Sequence, residues 1–383
     1  MGNKRFKTNV FRSFASFEEQ PSLTDGQKVD RPYRADIVVE TYTKGTALTA
    51  QDLTATSDQL TVDTTKAVLM YVDNVDKIQN KYSAAEAWIK EAMERLNNAI
   101  DARFFYEYVN ANDTIDAGDV GGTAGEGITV TTSNVLSIFS AINMKADANN
   151  LPMKGRKLTV SPQFYRKLFE YVAGKQSLLG DRTSENGNIG EFAGIKLYLT
   201  NNLTGSARWT PADQPTDAAT ITINGITINL VTTLGTTANN VLIEVNTATT
   251  LDNIVAFINS GGAGVANKSV AASAANQRIM QNWVAVDGTT YFEVRAKGAS
   301  YMTVSTSEAL DVWGTTTQLQ HLLFSMEGAI DAVIQSAPGV EMASTVSAGK
   351  LGMNIIPYTL FGVYTFYQGK NEIFDVQLRS DAY

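Results

Sequence analysis

The 383-residue sequence contains no cysteine and a single histidine, His321. Without thiols there is no disulfide, no thiolate metal site and no cysteine nucleophile. One imidazole excludes paired-histidine zinc sites and leaves little room for a Ser-His-Asp device. Set in the apolar run QLQHLLFSM, His321 reads as a packed or surface side chain. No apolar stretch follows the basic start, so no secretory signal is expected, and nowhere do 18 apolar residues run together as a membrane-spanning helix needs. Met-Gly opens the chain, but Phe6 stands where the myristoylation pattern needs a hydroxyl. A basic excess is also missing. Lys and Arg number 31 against 39 Asp and Glu, a formal charge of -8, whereas a general nucleic-acid binder needs a basic stripe to displace counterions. The one basic concentration is MGNKRFKTNVFR, with Lys4, Arg5, Lys7 and Arg12 and no acid. It reads either as a solvated tail or as an arm touching a neighbour or a polyanion.

What remains is ordinary globular composition, 44% hydrophobic, on a chain long enough for two or three domains. Residues 1–35, with Pro21, Gly26 and Pro32, lack periodicity and predict an extended arm. From Ala35 to Asp73 the pattern is strand-like, and its Thr-rich, weakly apolar hairpin cannot fold on a core of its own. At residue 82 a helix is predicted, opened by a capping box of Ser83 and Glu86. Ala85, Trp88, Ile89, Ala92, Met93, Leu96, Ala99 and Ile100 share one arc of it, predicting a single buried stripe. The loop DAGDVGGTAGEG lacks a Gly-Lys-Ser/Thr ending and follows a helix, so it is no phosphate cradle. A second helix carries Val135, Ile138, Phe139 and Ile142 at helical spacing. KLTVSPQFYRKLFEYVAGK is a strand–helix unit: Ser161 caps, Pro162 takes the first helical position, and Gly174 ends the helix. Its buried face is predicted as Tyr165, Leu168, Phe169 and Val172. GNIGEFAGIKLYLTNNL is a turn and a strand that halts at Asn201-Asn202.

Thr, Asn, Ala and Gly dominate residues 205–317. TITINGITINLV predicts a hairpin with Asn224-Gly225 in a type I′ turn. TTLDNIVAFINSGG predicts a short helix with Leu251, Ile254, Val255 and Ile258 on one side. Together with strands around Gly288 and Gly298 this predicts an inserted small α+β or β-sandwich domain whose two ends lie close together. Beyond it, QLQHLLFSMEGAIDAVIQSAPGVEMAS is read as a helix, with Leu322, Leu323, Met326, Ile330 and Val333 along it. YTLFGVYTFYQGKNEIFDVQLRS is read as a closing hairpin that turns at Gln368–Asn371.

The succession of VDNVDKIQN with the long helix through AIDARFF, then KLTVSPQFYRKL, GNIGEFAGIKLYLTNNL, and GAIDAVIQSAPGVE with TLFGVYTFY, resembles the major capsid protein family of tailed bacteriophages, whose fold encapsulin shells share. The resemblance covers roughly residues 35–204 and 318–383. It implies an α+β phage major-capsid fold laid out as follows: residues 1–35 an N-terminal arm; 36–81 an extended loop over a neighbouring subunit; 82–156 a peripheral domain with a long spine helix; 157–204 and 318–355 the two parts of an axial domain; 205–317 an inserted small β-rich domain; and 356–383 a C-terminal hairpin returning to the peripheral domain. It further implies self-assembly into the hexamers and pentamers of an icosahedral head around double-stranded DNA. Scaffolding, portal and cement proteins are implied partners, and the virion the location. No catalytic, cofactor or metal site is expected. The inter-subunit contact candidates are Arg5, Lys7, Arg12, Lys44, Lys66 and Trp88, the two lysines 44 and 66 without any cross-linking chemistry carried over.

Two other functions stay open at this stage. One is a bacterial nanocompartment shell enclosing an enzyme cargo. The other is a carboxylate-dependent hydrolase built on Asp113, Asp116 and Asp119, with the Gly- and Thr-rich part as a binding module. Residues 205–317 are also open to reading as an adhesin-like or carbohydrate-binding surface module, which is compatible with the capsid resemblance.

Overall fold

The computed structural model describes residues 9–34, 37, 39–49, 55–74, 84–175, 189–288, 291–298, 302–307, 315–344 and 351–380. The chain divides into two compact units. One comprises Met1–Phe11, Asn98–Met326 and Ile373–Tyr383, the other Arg12–Asn97 and Glu327–Glu372.

The N-terminal region is not the structureless arm its composition predicts. A 3₁₀ turn at Phe11–Ser13 and a short strand β1 (Ala15–Ser16) carry Phe11 and Phe14 into buried positions, and Leu23 follows them. At about 1.5–3 kcal/mol for each fully buried large apolar side chain, three such residues hold this stretch down. Strand β2 (Lys28–Arg34) pairs antiparallel with β3 (Ala55–Thr61), from Lys28 opposite Thr61 to Arg34 opposite Ala55. The hairpin therefore begins inside the predicted arm. Leu60 and Val62 bury with Leu23, Val333 and Phe366, so this end of the predicted loop lies on the chain's own core. Strands β4 (Thr64–Ala67) and β5 (Met70–Asp73) follow. By contrast, residues 37 and 39–49 are exposed throughout and form no strand.

Helix α1 (Ala84–Phe105) buries Ala92, Leu96 and Ile100 four residues apart, the stripe expected of an amphipathic helix. Trp88 departs from the predicted arc: it is 46% exposed. Ser83 lies outside the described residues. A 3₁₀ turn at Tyr106–Asn110, β6 (Asp113–Ile115) and a second 3₁₀ turn at Ala117–Val120 lead to α2 (Val135–Ala148), with Val135, Ile138, Phe139 and Ile142 buried. Strand β7 (Arg156–Val160) is buried at every position. Helix α3 (Pro162–Ala173) starts where the Ser161 hydroxyl accepts from the Phe164 amide at 3.2 Å. It buries Phe164, Leu168 and Val172 and leaves Tyr165 and Phe169 half-buried. Strands β8 (Glu191–Phe192) and β9 (Ile195–Leu199) close this part.

Next come β10 (Gly205–Thr210), β11 (Thr220–Ile223), β12 (Ile226–Val231), β13 (Asn240–Leu242), α4 (Thr247–Asn259), α5 (Ala274–Met280), β14 (Trp283–Asp287), β15 (Phe292–Ala296), β16 (Val304–Thr306) and β17 (Thr315–Met326). The β11–β12 turn places Asn224 at φ 47° and Gly225 at φ 80°, the left-handed pair a type I′ turn requires. Four strands, in the order β13-β12-β11-β16, form a sheet of their own. Its isoleucines pack with Leu251, Ile254, Phe257 and Ile258 of α4. The remaining strands do not stay apart. Strand β10 pairs with β15 on one side and with β17 on the other, and β14 pairs with β15. They extend a nine-stranded sheet in the order β14-β15-β10-β17-β7-β9-β8, to which β20 (Ile373–Arg379) and β6 are joined through β17. One core runs through both sheets, with Trp209 stacked on Phe292 at 5.0 Å. On the outer edge, Asn259 donates to the Ala285 carbonyl at 2.9 Å and accepts from the Ala285 amide at 2.8 Å. That pairing occupies the edge backbone of β14, which would otherwise invite another strand.

Two sequence expectations are overturned near the C-terminus. The segment read as one helix from Gln318 is two strands, β17 and β18 (Ile330–Ser344), separated by a turn at Gly328 with φ 85°. Leu319 through Met326 are all buried, and a strand covered on both faces shows no alternation, so its apolar run mimics a buried helix. The predicted closing hairpin is not one either. Strand β19 (Gly352–Tyr364) pairs with β18, β4 and β5 in a five-stranded sheet that also holds β1, whereas β20 belongs to the nine-stranded sheet.

Candidate functional site

The sheet brings together a serine, a histidine and an aspartate that are far apart in sequence. The Ser206 Oγ lies 2.8 Å from His321 Nε2, and His321 Nδ1 lies 2.9 and 3.0 Å from the two carboxylate oxygens of Asp375. Strands β10, β17 and β20 supply one residue each. Gln377 donates to Asp375 at 2.9 Å, and the His321 ring stacks on Tyr108 at 4.0 Å. Close by, Glu293 of β15 takes Arg208 and Arg295, each at 2.9 Å. Burial pushes the Glu293 carboxyl up, but Arg295, then the His321 ring and Arg208, override it and hold the group at about 2. Burial likewise pushes the Tyr108 phenol well up.

The geometry is that of a hydrolytic triad; the surroundings are not. Ser206 is 0% exposed, His321 2% and Asp375 4%. Ser206 is the second residue of β10, laddered to β15 on one side and to β17 on the other. A nucleophile needs a substrate carbonyl within reach and free donors for the developing oxyanion. This hydroxyl is sealed from both. The cluster is a hydrogen-bonded polar layer inside the sheet, where every buried group needs a partner. The sequence held no sign of it, because only strand pairing places residues 206, 321 and 375 together.

Asp113, Asp116 and Asp119 are likewise spent on the fold. Asp116 accepts from the Gly118 amide at 2.8 Å and the Gly125 amide at 2.6 Å. Asp119 accepts from the Asp116 amide at 3.1 Å and from Lys145 at 2.8 Å, and Asp113 takes the Asn149 amide at 2.6 Å. Asp116 and Asp119 shape the Gly-rich loop and Asp113 holds the end of α2, which overturns the hydrolase reading built on them. A side chain at Gly127 would collide with Leu319, which explains one of the loop's glycines. Among the described residues, no group of three or more His, Asp or Glu could hold a metal ion, and no helix is long and apolar enough to cross a membrane.

Of the contact candidates, Arg5 and Lys7 lie outside the described residues. Arg12 is exposed in the 3₁₀ turn at Phe11–Ser13. Lys44 is exposed beside the turn at Gly45, Lys66 is exposed on β4 opposite Thr359, and Trp88 stands on α1. The four described candidates do not gather into one site. Sequence reading missed the larger apolar display in the same region, where Ile37, Val39, Tyr42 and Leu48 are exposed, Val39 at 93%.

As a whole, the chain has the fold seen in solved structures of tailed-phage capsids. Among solved structures, one of Mycobacterium phage Che8 superposes with a TM-score of 0.57 at 12% identity, over 98% of this chain and 93% of that one. The head structure of Helicobacter pylori bacteriophage KHP40 gives 0.50 at 9% identity, over 99% and 94%. No family model and no curated protein matches the sequence.

Proposed function

We propose that the chain is a major capsid protein: copies assemble through hexamers and pentamers into an icosahedral head that encloses double-stranded DNA. The observation carrying this reading is the exposed span of residues 37 and 39–49. Four large apolar side chains stand in water there on a backbone without strand partners. Ordering costs about 1–2 kcal/mol per residue, and large apolar side chains gathered on an exposed surface mark an interaction site. Fold alone does not carry function; fold and unpartnered surface together favour a subunit completed by its neighbours. Lys44, Lys66, Trp88 and Arg12 are contact residues on this reading, with Arg5 and Lys7 facing a neighbour or packaged DNA. Scaffolding, portal and cement proteins are its partners, and the virion is its location.

Sedimentation and negative-stain imaging of the expressed chain, alone and with its phage's scaffolding protein, test the proposal. Capsomers or closed particles are expected. A monomer at every concentration under both conditions overturns it. Particles that package a protein cargo and no DNA would favour a nanocompartment shell.

A further inference from the structure

The unit formed by Arg12–Asn97 and Glu327–Glu372 holds a cleft of about 140 Å³. Several times the roughly 30 Å³ share of one water, it is smaller than a drug-sized site. Three carboxylates line it, Asp58, Asp331 and Glu372, against one guanidinium, Arg31. Arg31 is already committed: it pairs with Glu19 at 2.6 Å and with Asp331 at 3.2 Å, and lies over the Phe366 ring at 4.1 Å. Asp58 accepts from the Tyr367 amide at 2.7 Å. That leaves Glu372. No hydrogen bond or ion pair from a described residue reaches its half-buried carboxyl, and burial alone pushes it up. Beside it, Tyr33 and Tyr367 stack at 4.4 Å with rings nearly parallel.

A carboxylate with no partner among the described residues, beside aromatic rings, suits an organic cation, whose charge is attracted both by the carboxylate and by the ring faces. A hard metal ion would ask for six or more oxygens. We propose that this cleft receives a lysine or arginine side chain from the Lys4–Lys7 stretch of a second copy of the chain. That stretch carries three cations in four residues and belongs to the sequence's one basic concentration. Charge complementarity selects it as occupant. The inference rests on the reading that copies associate, and adds which acidic cleft takes which basic segment.

The test titrates the full-length, unassembled chain with a fluorescent peptide of residues 1–12, followed by anisotropy at low and moderate salt. Saturable binding is expected, weakened at least tenfold by Glu372→Gln and by a peptide carrying Lys4→Glu, Arg5→Glu and Lys7→Glu. Glu372→Gln is nearly isosteric, and its melting temperature is compared with that of the unsubstituted chain to confirm folding. Binding unaffected by Glu372→Gln overturns the assignment of the cleft. Equal binding of an unrelated basic peptide overturns the second-copy occupant, as does failure of the peptide to bind in trans. Particles that form from the unsubstituted chain while that chain shows no peptide binding would sink this inference and leave the capsid reading intact.

Discussion

Asn202 donates its side-chain amide to Asp101 Oδ2 at 2.7 Å. The other carboxylate oxygen of Asp101 accepts the backbone amides of Val10 and Phe11 at 2.9 and 2.8 Å. One buried carboxylate on α1 therefore ties the start of the described chain to the point where β9 has ended and β10 is about to begin. Asn202 also reaches Asn98 and Asn9, at 3.1 and 3.3 Å. Burial pushes the Asp101 carboxyl up, against the pull of Asn202 and the two amides. The halt at Asn201-Asn202, visible in the sequence as a break in pattern, is physically an anchor.

Removing either partner strands the other in a dry environment. Asp101→Ala is expected to cost about 3 kcal/mol, since two backbone amides and the Asn202 amide lose their acceptor. Asn202→Ala is expected to cost about 2 kcal/mol, and the double variant about 1 kcal/mol less than the sum, because the shared bond is lost only once. Urea unfolding of the four proteins measures this. Strict additivity would show that the contact carries no coupling.

Acid should unfold this protein partly through Glu293. Its folded value of about 2 lies below the ordinary 4.5, so its contribution is complete above about 4.5 and drains away as the pH falls toward 2. The difference corresponds to about 3 kcal/mol. Glu293→Gln leaves Arg208 and Arg295 without their carboxylate and should cost about 3–5 kcal/mol at neutral pH. Below pH 3 it should approach the unsubstituted protein. Melting temperatures recorded from pH 7 down to pH 2.5 decide the matter: parallel curves for the two proteins would mean that Glu293 is not held low by its arginines.

The Ser206–His321–Asp375 cluster invites a catalytic reading that the burial denies. A fluorophosphonate probe should leave Ser206 unlabelled in the folded chain, because no path leads to its hydroxyl. Ser206→Ala should cost about 1 kcal/mol, the net worth of one hydrogen bond. His321→Ala should cost about 3 kcal/mol or more, through a cavity beside Tyr108 and an unpaired Asp375. Stoichiometric labelling, or a His321→Ala variant as stable as its parent, would contradict this account.

Much of the helical architecture was legible because helices write their period and their caps into the sequence. Val135, Ile138, Phe139 and Ile142 mark one buried face of α2, and Ser161-Pro162 marks the start of α3. The Asn224-Gly225 hairpin was legible for a similar local reason. Strands β17 and β18 were not. Leu322, Leu323 and Phe324 are consecutive and all buried, so the period of two is erased and helical spacing can be found among them by chance. The merger of β10, β14 and β15 with the larger sheet was illegible too, since register between strands some 80 to 115 residues apart leaves no local mark. The polar layer around His321 follows from that same register. At Trp88 the wheel placed an indole in the buried arc, but the arc is wider than the stripe that actually packs.

That misplaced indole supplies the most direct test of assembly. Trp88 is 46% exposed, with much of a large ring in solvent, and a tryptophan left outside its own core is the side chain most able to anchor a neighbour. If it serves contact rather than folding, Trp88→Ala should change the stability of the isolated chain by no more than about 0.5 kcal/mol, the usual range for a surface substitution. Its effect on association should be larger, about 2 kcal/mol or more per contact. Repeated around each capsomer, that loss should shift the sedimentation profile from particles toward free subunits at the same protein concentration. The opposite pattern, a destabilised monomer and normal particles, would return Trp88 to the core and remove it from the interface. Lys66→Ala, exposed on β4, serves as the comparison: even an exposed ion pair is worth only about 0–1 kcal/mol, so its particle yield should fall less than that of Trp88→Ala.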